Sequence, residues 1–169
     1  MPGKEQTTPQ ESSVRAPKVT LTAIGSGRKL DLRQTGILTL LVCHGRESAE
    51  EATQVHTALR QRFPQPSTLL AASLVNLRIV PRMFRGVAES AIRKAYQEGI
   101  TRLDEGIKPE EYIVILPDWD GSVSAALGLH NTPSNPGIAI LDGEGSVLEV
   151  FQGDDLASTA IRLLEKYKA

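Results

Sequence analysis

The sequence predicts an α/β protein: a three-layer α/β/α sandwich with a mixed central sheet and an N-terminal β-hairpin. Three features carry that prediction. Four nearly continuous apolar runs, ILTLLVC at 37–43, LLAASLVNL at 69–77, YIVIL at 112–116 and GIAIL at 137–141, have the pattern of strands covered on both faces. Segments of helical periodicity or composition lie between successive runs. Two glycine-bearing turns, GSG at 25–27 and DGEG at 142–145, join short strand-like runs and imply antiparallel pairs.

The elements follow in order. KVTLTAI at 18–24 puts Val19, Leu21 and Ala23 on one face, the period of a half-buried strand. Gly25-Ser26-Gly27 turns the chain, KLDL at 29–32 alternates again, and Gly36 closes the segment. After the first apolar run a helix is expected. Ser48 and Glu51 fit a capping box, and Glu47, Glu50 and Glu51 suit the positive end of its dipole. Ala49, Ala52, Val55, Leu59 and Phe63 fall on one face, and Pro64 and Pro66 stop the helix. The segment 87–102 is helical in composition, with Val87, Ala91, Ala95 and Tyr96 expected inward and Gly99 marking its weak end. The third run ends at Pro117-Asp118, and a short helix rich in Ala and Leu is expected over 122–129. Asp142 to Gly145 forms a hairpin turn, with two glycines able to take positive φ, leading into SVLEVF at 146–151. Asp154 or Asp155 caps a last helix with Leu156, Ala160, Leu163, Leu164 and Tyr167 inward and Lys166 and Lys168 at its negative end.

Composition narrows the function. The chain has 169 residues, a formal charge of −1, 40% hydrophobic and 23% charged residues. That is an ordinary globular balance, long enough for one domain with a hydrophobic core. Near-neutrality removes the electrostatic case for nucleic acid as a partner, and the 4% aromatic content argues against base-stacking platforms. One cysteine excludes an intrachain disulfide, a CxxC pair and a thiolate zinc site, so no metal or cofactor is expected. Residues 1–14, MPGKEQTTPQESSV, are polar and proline-containing, with no apolar targeting core; they are expected to be disordered, with the domain spanning 15–169. No run is long and apolar enough for a membrane span, and an unpaired cysteine without a signal favours the cytoplasm.

Four local patterns fit together. Ala16-Pro17 precedes VTLTAIGSGRKLDLRQTG; ILTLLVC runs into a charged, capped helix; PDWDGSVSAALGL joins a strand, an Asp-x-x-Gly turn and a small-residue helix; PGIAILDGEGSVLEVFQG joins a proline, a strand, an Asp-x-x-Gly hairpin and a returning strand. Their order resembles the thioredoxin superfamily, and more narrowly its redoxin (alkyl hydroperoxide reductase/thiol-specific antioxidant) branch. The resemblance implies a thioredoxin-like fold from residue 15 onward. It also implies an active site at the start of the first long helix, where dithiol members carry CxxC. Those two positions fall near Arg46 and Ala49, and neither is a thiol. HGRESAEEA also lacks the proline and cysteine of a peroxiredoxin-type site. Pro136 matches the superfamily's cis-proline, which implies a cis Asn135–Pro136 bond whose backbone faces an extended substrate; the alternative is an ordinary loop proline in the turn-rich NTPSNP.

The candidate chemistry is sparse. Cys43 is the one nucleophile, at the end of a central strand and close to His44 and Arg46; the alternative is a buried core residue. Even a reactive Cys43 has no resolving partner in the chain. His44, Arg46 and Glu47 occupy the loop before the helix, either as an anion site or as a solvated cap. His130 precedes the Pro136 loop, and His56 lies mid-helix in a structural role. Arg78, Arg82, Arg85, Arg93 and Lys94 form the clearest charge cluster. RIVPRMFR mixes cations with apolar side chains, as a docking surface would, or as a loop anchored to the core would. Asp118 and Asp120 fit turn and capping roles.

Three functions are compatible with this set. The first is a redox-inactive, protein-binding or assembly module using Asn135, Pro136 and the loop of Arg78, Arg82 and Arg85. The second is an antioxidant enzyme, a single-cysteine thiol oxidoreductase or peroxidase working through Cys43. The third is an anion or small-ligand binder at the helix start near Arg46.

Overall fold

The computed structural model describes residues 14–168. The expected disordered lead-in, 1–14, lies outside these except for Val14, whose carbonyl accepts a backbone hydrogen bond from Val147. Strands β1 (Thr20–Thr22) and β2 (Lys29–Asp31) form the expected hairpin around Gly25-Ser26-Gly27. The chain continues through β3 (Thr39–His44), α1 (Ala49–Arg62), β4 (Leu70–Asn76), a 3₁₀ turn at Arg82–Phe84 and α2 (Arg85–Ile100). It ends with α3 (Pro109–Tyr112), β5 (Val114–Asp118), α4 (Ser122–Ala126), β6 (Gly137–Leu141), β7 (Val147–Gln152) and α5 (Leu156–Lys168).

The main sheet has five strands in the order β5-β4-β3-β6-β7. β3 pairs parallel with β4, and β4 with β5; β3 pairs antiparallel with β6, and β6 with β7. The sheet is therefore mixed, as the sequence requires. β3 lies at its centre, and all six of its residues are buried. Alternation along β3 sends its side chains into two cores. Leu41 and Cys43 pack with Leu30 and Leu32 of the hairpin segment, Leu74 and Leu116. Leu40 and Val42 pack with Val55 and Leu59 of α1 and with Ala160 and Leu164 of α5.

Several local expectations are corrected. Lys108-Pro109 starts a helical turn with Pro109 at its first position, so β5 begins at Val114 and not at Tyr112. Of the two hairpin glycines only Gly145 takes a positive φ (89°). Tyr167 is 38% exposed and donates its hydroxyl proton to Glu149 (2.7 Å), as does Lys166 Nζ (2.8 Å). Tyr167 thus packs outside the core, and its phenol is pushed up to about 12, chiefly by that hydrogen bond to Glu149. The proposed capping box does not form: Ser48 precedes α1 but makes no side-chain cap. No peptide bond among the described residues is cis, so Asn135–Pro136 is trans. The loop closes by other means. Asn131 adopts φ 57°, its carbonyl accepts from both Ser134 N and Asn135 N, and Gln152 Nε2 bridges the carbonyls of His130 and Asn135.

The largest correction concerns α2. Tyr96 is buried against Gly25, whose site has no room for a Cβ beside the Tyr96 ring. Val87, Ala91 and Ala95, expected inward, are exposed, Val87 at 67%. They look across an open cleft instead of into a core.

Candidate functional site

The site is built where β3 and β4 end. Gly45 follows β3, and a Cβ there would lie 2.5 Å from Pro133 Cα, so a glycine lets the loop at 130–136 close onto the β3–α1 turn. Ser48 explains its failure to cap α1: its Oγ accepts from Gly45 N (3.1 Å) and donates to Thr132 O (3.1 Å). Asn76, the last residue of β4, donates Nδ2 to Thr132 Oγ1 (3.0 Å) and accepts from Arg78 N at Oδ1 (3.0 Å). One chain of hydrogen bonds therefore ties β3, α1, β4 and the loop into a single corner. Asn135 is exposed there, with its carbonyl already bonded to Gln152, and Pro136 is buried.

His44 is only 8% exposed. Its Nδ1 lies 3.0 Å from Gly45 O, which assigns the proton to Nδ1 and leaves the Nε2 lone pair without a described partner. Burial lowers its pKa, partly opposed by the Gly45 bond. Arg46 and Glu47 are exposed at the turn. No described carboxylate pairs with Arg46, Arg78 or Arg82.

Cys43 lies one residue earlier and faces the other way. It is fully buried, in the core shared with the hairpin. Burial, and then the Asp118 carboxylate, push its thiol far above the usual range, only partly opposed by a hydrogen bond with Ser124. Asp118 is itself buried. Its Oδ1 accepts from Val123 N (3.2 Å), and its Oδ2 accepts from Ser124 N and Oγ (both 2.9 Å). Asp120 accepts from Ser122 N and Oγ. Both carboxylates therefore organise the start of α4, as their turn pattern suggests.

The arginine-rich turn connects β4 to α2. Its apolar side chains do not anchor it: Ile79 is 59% exposed, Met83 81% and Phe84 51%. Arg78 and Arg82 are exposed, and the Arg85 guanidinium sits 4.9 Å above the Trp119 ring. Behind this turn, between α1 and α2, runs a cleft of about 830 Å³. Its floor is Ser73 and Val75 of β4 and Ile115 of β5. One wall is Ala49, Ala52, Thr53 and His56 of α1; the other is Val87, Ala88, Ala91, Ile92 and Ala95 of α2. His44 and Arg46 stand at one end, and Ile79, Val80 and Phe84 form the lip. His56 bonds Ser73 Oγ through Nε2 (2.8 Å), and burial, then nearby His44 and Arg60, lower its pKa to about 3. Two neutral imidazoles thus sit in an otherwise largely apolar cleft, the usual make-up of a ligand site.

The structure brings His44 and Arg46 together at this cleft and sets Asn135 and Pro136 on the neighbouring loop. It sets His44 and Arg46 on the opposite side of the sheet from the Cys43 thiol. Sequence reasoning missed the cleft and its polar members His56, Thr53, Ser73 and Asn76. The available signal was the Val87–Ala91–Ala95 stripe, which records an apolar face without recording what covers it.

No family model and no curated protein matches the chain. Solved structures do. It superposes on the pneumococcal exposed lipoprotein thioredoxin Etrx1 from Streptococcus pneumoniae with a TM-score of 0.59 and 14% identity, covering 89% of this chain and 99% of that one. The fold is thioredoxin-like. StoA from Bacillus subtilis gives a TM-score of 0.57 at 14% identity (88% and 99% covered), and peroxiredoxin Q from Xanthomonas campestris gives 0.56 at 13% (89% and 90% covered). On this thioredoxin-like frame the chain's one cysteine is on β3, ahead of the turn that leads into α1. Among the described residues no helix is long and apolar enough to cross a membrane, and no cluster of three or more His, Cys, Asp or Glu side chains could hold a metal ion.

Proposed function

We propose that the chain is a redoxin-like branch of the thioredoxin superfamily that works without dithiol or peroxidatic chemistry, as a protein-binding or assembly module. The observation that carries this reading is the enclosure of Cys43. A nucleophilic thiol needs access and a lowered pKa, and this one has neither. The exposed Ile79, Met83 and Phe84 beside Arg78, Arg82 and Arg85 support docking at the β4–α2 turn, since Met, aromatic and Arg side chains are enriched in interfaces. Asn135, exposed on the loop closed over Gly45, forms the second part of the proposed surface, with the buried Pro136 behind it. The proposed compartment is the cytoplasm, where an unpaired thiol stays reduced.

The competing reading is a single-cysteine oxidoreductase or peroxidase. Peroxide and disulfide-exchange turnover, measured for the wild type beside Cys43→Ser, separates the two. Equal, negligible turnover is expected; turnover abolished by the substitution would establish the enzyme. Affinity capture with the wild type and with Arg82→Glu/Arg85→Glu then tests the surface. Loss of specific partners from the variant is expected, and unchanged recovery removes docking at this turn.

A further inference from the structure

The α1–α2 cleft has a charge pattern and a free hydrogen-bonding atom that a docking turn does not need. We propose that it binds an amphiphilic carboxylate, with the apolar chain between α1 and α2 and the carboxyl group at His44 and Arg46.

The tail follows from the walls. Ala52, Val75, Ala88, Ala91, Ile92 and Ile115 present an apolar channel, and its volume of about 830 Å³ is that of a small-molecule site. Left to water, these side chains keep apolar area exposed that a chain of methylenes would bury, at roughly 25 cal/mol per Å². Residues 1–13 do not suit the channel as an internal plug, because MPGKEQTTPQESS offers Met1 as its one large apolar side chain.

The head follows from three groups at one end. Arg46 lines the cleft, carries the cation and has no described carboxylate partner. Ser48, diverted to Gly45 and Thr132, leaves the first-turn amides of α1 without a side-chain cap, and such amides favour an anion. His44 is more than nine-tenths buried, lines the same end and has Nδ1 committed to Gly45 O, so its Nε2 is an unpartnered acceptor. A carboxyl group satisfies the two side chains directly, one oxygen sharing a proton with Nε2 while the other accepts from Arg46, and its negative charge suits the uncapped helix start. A ligand that arrives as the anion takes up one proton from solvent. An amine would meet Arg46 with like charge, and an alcohol would leave Arg46 unpaired. No carboxylate lines the cleft to favour a cationic ligand.

The test is calorimetric titration of the full chain with dodecanoate, dodecanol and dodecylamine below their micellar concentrations. Dodecanoate is expected to bind with one-to-one stoichiometry, and its enthalpy to vary between buffers of different ionisation enthalpy in proportion to uptake of one proton. Arg46→Ala, at an exposed position, is expected to weaken dodecanoate about tenfold, the worth of one charge-assisted hydrogen bond. Ala91→Trp, also exposed and facing the channel, should abolish binding while leaving the unfolding transition in place. No binding of dodecanoate, equal binding of dodecanol or dodecylamine, or dodecanoate binding indifferent to Arg46→Ala and Ala91→Trp would each overturn the proposal.

Discussion

The two sides of the central sheet are finished differently. On the hairpin side, β1, β2 and α4 close over Leu41, Cys43, Leu74 and Leu116 and leave no gap at the thiol. On the helical side, α1 and α5 cover β3 and β6, but α2 stands away from α1 and leaves the cleft over β4 and β5. Both sides grow from the same strands, one residue out of phase. Alternation thus decides that the single sulfur lies in the sealed half and that His44, at the end of the same strand, opens onto the unsealed one. One face is packed and the other left open, and substitutions on the two faces should behave differently.

The largest contrast is in stability. Leu41→Ala, in the sealed core, is expected to cost about 2–5 kcal/mol in chemical denaturation. A loss under 1 kcal/mol would mean that this side is looser than its packing indicates. The second contrast is chemical. In the native protein Cys43 should react with a thiol reagent at least about a hundredfold more slowly than in denaturant, whereas Ala49→Cys in a Cys43→Ala background should react readily at the exposed start of α1. Comparable native rates would erase the distinction between the faces.

The third contrast is in pH. His56 has its pKa lowered from 6.5 to about 3, so the unfolded chain takes up a proton through pH 6.5 while the folded one stays neutral down to about 3. Stability should therefore fall as pH drops across that window, by up to about 1.4 kcal/mol per pH unit from this group. His44, lowered in the same direction, adds to the fall. His56→Gln should flatten the dependence between pH 6 and 4 in denaturant midpoints, and an unchanged slope would show that the imidazole is free to ionise in the native state. The smallest effect is expected at the cleft wall, where Val87→Ser should change stability by no more than about 0.5 kcal/mol. A larger loss would show that α2 is held by the face it turns to the cleft.

The same division explains what was legible in the sequence. ILTLLVC and the Ala52–Val55–Leu59 stripe are local patterns whose partners are dictated by burial on both sides, and they appear where expected. Ser48-x-x-Glu51 is equally local, yet its hydroxyl is claimed by Thr132, 84 residues away, and no short-range rule anticipates that competitor. Val87, Ala91 and Ala95 carry a genuine apolar face. Periodicity identifies such a face but is silent on whether protein or an open cleft lies opposite. The cis bond inferred from resemblance is trans in the structure, in a loop closed by hydrogen bonds to Asn131 O and from Gln152 Nε2. The site corner is thus the least legible part, being assembled from residues that share no local sequence pattern.

The placement of β3 also has a consequence for synthesis. Cys43 is paired on one side with Leu74 and on the other with Gly137, and its enclosing core includes Leu116, Val123 and Leu141. As the chain emerges from its N-terminus, the parallel β3–β4 pair can form well before β6 exists, because its contacts are much closer in sequence. Until nearly a hundred further residues have followed the cysteine, β3 has a free edge and its thiol an open flank. The thiol is therefore fully enclosed only by residues that follow β4 by forty or more positions, Val123 of α4 and Leu141 of β6 among them.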